Sequence, residues 1–214
     1  MAYLALIDYG SGNLHSAERA LRTAASASGA ACEIHVTADA DMVRRADRIV
    51  LPGVGHYADC AKGLRAVPGL EDALGEAVID RAVPFFGICV GMQLMADRGL
   101  EDGETPGFGW IQGDVDRIKA APGLPVPHMG WNGLQLHQDH PVLQGLGEDP
   151  HVYFTHSYAM QLKDNGDLAA STDYGAPITA VIARDNMVGT QFHPEKSQRV
   201  GLQMLANFMA WRPV

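Results

Sequence analysis

Along the first hundred residues, short continuous apolar runs alternate with stretches of helical periodicity. Tyr3 to Asp8, Glu33 to Thr37, Arg48 to Leu51 and Pro84 to Cys89 read as strands. Leu14 to Ser26, Asp39 to Ala46 and Leu70 to Ala82 read as helices. In the last of these, Leu70, Ala73, Leu74, Ala77 and Val78 recur at i, i+3, i+4, i+7 and i+8 and paint one face. Strands that are apolar throughout and separated by helices belong to a parallel sheet with right-handed crossovers, covered on both sides. From Trp110 onward the pattern tightens. Trp110 to Ile118, Gly133 to Leu136, His151 to Phe154, Ile178 to Ala183 and Met187 to Gln191 are strand candidates broken by Gly, Pro, Asn and Asp, a spacing that predicts hairpins. A final helix, Ser197 to Trp211, sets Val200, Met204, Phe208 and Trp211 on one buried side. The Gly-rich piece Glu101 to Gly109 reads as a surface loop joining two halves. The predicted fold class is α/β: an open, mainly parallel twisted sheet flanked by helices, with an antiparallel extension, in a single domain over residues 1–214.

Composition narrows the partners. The 214 residues are 47% hydrophobic, enough for one sizeable core. Formal net charge is −9 with acids and bases interleaved, so no basic face offers itself to a phosphate backbone or an anionic membrane surface. Neither nucleic acid nor membrane is expected as a partner. The first residues lack a basic leader region and read as a strand, and no apolar stretch approaches the roughly 18 residues that span a bilayer. Cys32, Cys60 and Cys89 make an odd count without a C-x-x-C pair, the usage of a reducing compartment, which predicts a cytoplasmic protein.

Gly87-Ile88-Cys89-Val90-Gly91 has the form G-x-C-x-G, the thiol counterpart of the G-x-S-x-G nucleophile elbow. Two glycines permit a sharp strand-to-helix turn with the nucleophile strained and proud of the sheet. A helix start next to the sulfur makes it more nucleophilic than an ordinary buried thiol. The amide of Val90 is then a candidate oxyanion donor. A lone Cys at a strand end also reads as plain packing, so a base elsewhere decides. "GTQFHPEKS" supplies one: Pro194 keeps His193 extended, and two-residue spacing on a strand places Glu195 beside it, where a carboxylate fixes the imidazole tautomer. A second donor is expected from Gly53 and Val54 in Leu51-Pro52-Gly53-Val54-Gly55, at the carboxyl end of the third strand.

With elbow, Pro-Gly loop and His-Pro-Glu in hand, the sequence resembles the class I (triad) glutamine amidotransferases. Within them it is similar to the glutaminase subunits of imidazole glycerol phosphate synthases. The resemblance runs through nearly the whole chain: "IDYGSGNLHS", "LPGVG", "GICVGMQL", "PHMGWN", "YFTHSY" and "GTQFHPEKS". Val90 stands where Leu is commoner, which leaves the amide in place. The resemblance implies a Cys89, His193, Glu195 triad that hydrolyses glutamine, with Gly53, Val54 and Val90 as oxyanion donors. It implies Gln93, Ser157 and Tyr158 as contacts for the amino-acid end of the substrate. It also implies a heterodimer with a barrel-shaped cyclase subunit, which receives the ammonia and makes imidazole glycerol phosphate and AICAR in histidine biosynthesis. Met129, Trp131 and Asn132 are expected at that interface, and the oxyanion loop is expected to reach its productive shape only when the partner holds its ligand.

Other motifs carry less. "GSGN" at Gly10 completes no G-x-G-x-x-G and reads as a turn rather than a nucleotide site. His137-x-x-His140 is followed by Pro141 with no Cys or acid cluster, so neither a metal nor another cofactor is expected. Cys32 and Cys60 read as core packing. Two rival functions remain open at this level: a stand-alone thiol hydrolase on the same fold, and a redox-sensing module built on the elbow cysteine.

Overall fold

The four apolar runs of the N-terminal half form β1 (Ala2–Ile7), β2 (Cys32–Thr37), β3 (Arg48–Leu51) and β4 (Phe85–Ile88) in a computed structural model that describes residues 2–29 and 32–213. Met1, Ala30, Ala31 and Val214 of the expected 1–214 unit lie outside the described residues. The remaining strands of the main sheet are β14 (Met187–Thr190), β13 (Pro177–Arg184), β12 (Leu168–Asp173) and β9 (Gln135–Leu136), in the order β2-β1-β3-β4-β14-β13-β12-β9. Pairing is parallel from β2 through β14 and antiparallel beyond it. Every residue of β3, β4 and β14 is buried, which is why these strands carry no polar alternation. Helices α1 (Leu14–Ser28), α2 (Ala40–Arg45), α3 (Tyr57–Ala66), α4 (Leu70–Gly75) and α6 (Gln198–Ala210) flank the sheet. Val200, Met204, Phe208 and Trp211 are all buried, and Phe208 meets Phe86 edge-on at 5.2 Å.

Helix ends follow local chemistry. Asn13 caps α1 by accepting from the Ser16 amide, and Gly29 closes it at φ 66°. Asp39 caps α2 by accepting from the amides of Asp41 and Met42. The periodic stretch Leu70 to Ala82 is helical but changes pitch, passing from α4 into a π-turn over Glu76–Asp80. Buried Asn186 secures that end by donating to the carbonyls of Val78 and Val83 at 2.9 and 2.7 Å.

One helix was not expected, and two expectations need correction. The stretch before Leu70 contains α3, whose first free amide, Tyr57 N–H, donates to Glu101 at 2.8 Å. The cap therefore comes from 44 residues away. The Glu101 to Gly109 piece is not merely a surface loop, because β6 (Thr105–Pro106) turns back on β5 (Arg98–Gly99), and a Cβ at Gly107 would press into Tyr57. Finally, the antiparallel strands do not all extend the main sheet. β7 (Gly113–Arg117) pairs with β11 (Tyr158–Leu162) in one small sheet, and β8 (His128–Gly133) pairs with β10 (His151–His156) in another. The run Gly133 to Leu136 is split at buried Leu134, where the chain leaves β8 for β9.

Candidate active site

Cys89 follows β4 directly and its amide still donates across to the Thr190 carbonyl at 2.7 Å, so its backbone prolongs the ladder with β14. It then turns at φ 54° and ψ −111°, a conformation L-residues rarely adopt. The strain resides on the cysteine itself and not on its glycines. Gly87 and Gly91 make room instead: a Cβ on Gly87 would lie 2.7 Å from the Gly91 carbonyl oxygen, and one on Gly91 would collide with the Leu51 carbonyl. The expected helix, α5 (Val90–Gln93), is a single turn. Cys89 is 5% exposed and opens onto a cleft of about 490 Å³ shared with Val54, Gln93, Ser157, Tyr158 and His193.

The His-Pro-Glu piece lies just past β14. His193 is extended, as a residue before proline should be, but Glu195 reaches it through a 3₁₀ turn over Pro194–Lys196 rather than along a strand. The expected contact thus forms by a different local geometry. His193 Nδ1 lies 2.9 Å from Glu195 Oε1, with both side chains almost fully buried. A carboxylate can only accept, so Nδ1 carries the proton and Nε2 is left for Cys89. Burial acts to lower the His193 pKa, but the hydrogen bonds and charges of Cys89 and Glu195 outweigh it and hold the imidazole up at about 9. Two backbone ties fix the turn: His193 N–H donates to Tyr153 at 3.2 Å, and buried Ser197 donates from its hydroxyl to the His193 carbonyl at 2.7 Å. The same hydroxyl accepts from the Tyr153 amide at 3.0 Å.

The Pro-Gly loop packs against the elbow. A Cβ on Gly53 would stand 2.8 Å from both the Gly91 amide and the Tyr9 hydroxyl, so only glycine fits there. The Val90 amide, expected to face the cleft, donates to the Gly53 carbonyl at 3.4 Å. The Val54 amide turns to the Ser11 hydroxyl at 3.4 Å, and that hydroxyl donates to the Val54 carbonyl at 2.9 Å. Both expected oxyanion amides are therefore engaged internally in this conformation. "GSGN" braces the Pro-Gly loop: Gly12 lies against Pro52 and Ser11 holds Val54. Cys60 is buried but does more than pack, since its thiol donates to the Val54 carbonyl at 3.4 Å. Tyr9, donating to the Pro52 carbonyl at 2.9 Å, is held strongly in its neutral form by burial.

On the far wall, Gln93 is buried and donates to the Tyr158 carbonyl at 3.1 Å and to Gln191 at 3.0 Å. Ser157 and Tyr158 are half-buried beside it. The Tyr158 carbonyl also accepts from His156 Nδ1 at 2.9 Å. His156 Nε2 then accepts from His128 Nδ1 at 3.0 Å, and His128 Nε2 from Asn132 at 3.3 Å. Burial pushes both imidazoles down to about 4, which keeps this pair neutral. Along β8, Met129 and Trp131 face outward at 62% and 47% exposure, while Asn132 turns inward to His128 and the Asp173 carbonyl. His137 and His140 do not converge: the first bonds Ser171 and the second accepts from the Val142 amide. Sequence reasoning missed Gln191, Ser197 and the histidine pair. Gln191 had a legible signal, as the one amide side chain ending an apolar strand.

Residues 5–211 match the family described as glutamine amidotransferase class-I. The chain belongs to that family. It is 56% identical over 214 residues to imidazole glycerol phosphate synthase subunit HisH of Mesorhizobium japonicum, covering 98% of this chain and 99% of the relative. The HisH subunit of Rhodospirillum rubrum is 55% identical over 212 residues, with the same shares covered. Among solved structures, a glutamine amidotransferase superposes with a TM-score of 0.71 at 18% identity, over 97% of this chain and 99% of that one. One from Thermotoga maritima gives 0.60 at 16% identity, over 91% and 76%. These two extend the likeness of fold beyond the likeness of sequence.

Proposed function

We propose that the chain is the glutaminase subunit of imidazole glycerol phosphate synthase, acting as one glutamine amidotransferase unit in histidine biosynthesis. The observation that carries the reading is a strained elbow cysteine sharing a cleft with a histidine whose Nδ1 is held 2.9 Å from a buried glutamate, in a chain 56% identical to a HisH subunit. Cys89 Sγ attacks the side-chain carboxamide carbon of glutamine. His193, already holding the proton that Cys89 gives up, delivers it to the departing nitrogen, which leaves as ammonia. Glu195 holds the tautomer and stabilises the imidazolium. Water, activated by the same histidine, cleaves the γ-glutamyl thioester to glutamate and restores the thiol. Gln93 and the Ser157–Tyr158 backbone hold the amino-acid end. The Val90 amide and the Gly53–Val54 peptide stabilise the oxyanion once that peptide rotates and its carbonyl leaves Val90.

The product explains the need for a partner. Free ammonia in water is mostly protonated at neutral pH and is then no nucleophile. It passes directly into a cyclase subunit docked over Met129 and Trp131, which forms imidazole glycerol phosphate and AICAR. Docking supplies the loop rotation, so the free chain turns over slowly. Three free thiols support a reducing compartment, the cytoplasm. Among the described residues, no helix is long and apolar enough to cross a membrane. The deciding measurement is glutamate release by the purified chain, alone and with a cyclase subunit and its nucleotide ligand, with Cys89→Ala as control. Strong Cys89-dependent activation by the partner supports the reading; equal rates with and without partner sink the coupling, and release independent of Cys89 sinks the mechanism.

A further inference from the structure

Gln191 is completely buried, one residue past β14 and two residues before His193. An amide there costs several kcal/mol unless its hydrogen bonds are met, and they are met in a directed series. The Tyr158 carbonyl can only accept, so the Gln93 nitrogen must face it at 3.1 Å. The second N–H of that nitrogen then points at Gln191, 3.0 Å away, whose facing atom must be the oxygen. The Gln191 nitrogen is left 3.7 Å from Cys89 Sγ. The Tyr158 carbonyl thus fixes the sense of both amides.

We propose that Gln191 is a positioning residue for the nucleophile, donating a side-chain N–H to Cys89 Sγ with its direction set by Gln93 and the Tyr158 carbonyl. The inference rests on the glutaminase reading of the same site. A neutral donor is well matched to this sulfur. It stabilises the sulfur while negative charge resides there, before attack and again as the thioester breaks, and it cannot take the proton meant for His193. It also approaches from β14, so the sulfur is held between Gln191 and His193, two residues apart on one segment.

The test uses Gln191→Met, close in size without the donor, and Gln191→Glu, which replaces the donor by an acceptor. Both are assayed for glutamate release in complex with the cyclase subunit, and for iodoacetamide alkylation of the Cys89 peptide read by mass spectrometry. The expected result is an alkylation rate and a kcat each lowered about tenfold with KM changed less than about threefold, the mark of a group acting on the reacting atom. Folded variants with unchanged alkylation and kcat overturn the inference. If neither variant folds, the unmutated chain decides. The Gln191 side-chain amide resonance must move when Cys89 is alkylated, and a fixed resonance overturns the assignment. An unmutated complex without Cys89-dependent glutamate release overturns the functional reading instead, so the two failures are distinct.

Discussion

Three histidines around one cleft hold their protons very differently, and the cause is what each faces. His193 meets a buried carboxylate and a thiol, which outweigh burial and raise it to about 9. His128 and His156 have no carboxylate partner, so burial dominates and lowers both to about 4, with the charges of His128 and His193 adding to it at His156. Imidazole NMR between about pH 3.5 and 10 should find His193 protonated through neutrality and the other two neutral until about pH 4. The stability consequences have opposite signs. His193 binds its proton more tightly folded than unfolded, so its contribution is full below about 6.5 and fades as pH rises through about 9. The neutral pair contributes above about 6.5 and loses that contribution as pH falls through about 4. Glu195→Gln should leave His193 buried without its carboxylate and reduce kcat by about a hundredfold or more, with KM little changed. Steady-state glutaminase kinetics in the complex check this, and an unaltered kcat would remove Glu195 from the triad.

At the scale of elements, the decisive piece is the 3₁₀ turn that presents His193. Ser197 ties it to β10 through one buried hydroxyl that both donates and accepts. Ser197→Ala should strand the Tyr153 amide and cost about 1–3 kcal/mol, lowering Tm by about 2–4 °C for each kcal/mol. Calorimetry beside glutamate release separates lost stability from a displaced base. This turn also marks where sequence stops being informative. The strands that build the parallel sheet were legible because β1 and β4 are apolar almost throughout and β2 and β3 carry β-branched residues between helical stretches, and the elbow was legible because two glycines bracket a thiol. The π-turn after Gly75 and the 3₁₀ turn after His193 were not, since both keep helix-compatible residues and differ only in tertiary contacts. Helix α3 hid for another reason. Tyr57, Cys60, Ala61 and Leu64 do follow helical spacing, but Gly63 interrupts the stretch and its N-terminal partner is Glu101. The β8–β10 ribbon does alternate in exposure, along all of β10 and most of β8, but alternation on so short a pair does not announce which sheet it joins.

For the whole molecule, the ribbon matters most because it reaches both the cleft and the solvent. Its inner residues, His128 and Asn132, belong to the bonded series ending at the Tyr158 carbonyl, while Met129 and Trp131 stand outward. Exposed Met and Trp on one strand face suit a partner's apolar surface. Trp131→Ala should weaken cyclase binding by about thirtyfold or more, measured by titration calorimetry, and leave the melting temperature of the free chain within about 2 °C. Unchanged affinity would move the interface elsewhere. The loop opposite supplies the complementary constraint: with Val90 bonded to Gly53 and Val54 to Ser11, the resting chain offers a glutamine oxyanion neither amide.

The close approach at the elbow carries a consequence for how this chain tolerates change. Gly87 and Gly91 do not line the cleft, yet a methyl group at either would strike main-chain atoms of a neighbouring segment. Main chain cannot step aside as a side chain can. A survey of every single substitution, scored by growth of a histidine auxotroph carrying this chain, should rank both glycines beside Cys89. Intolerance there would trace the empty volume a strained nucleophile requires, and a search for substrate contacts by mutation alone would mistake that volume for a binding site.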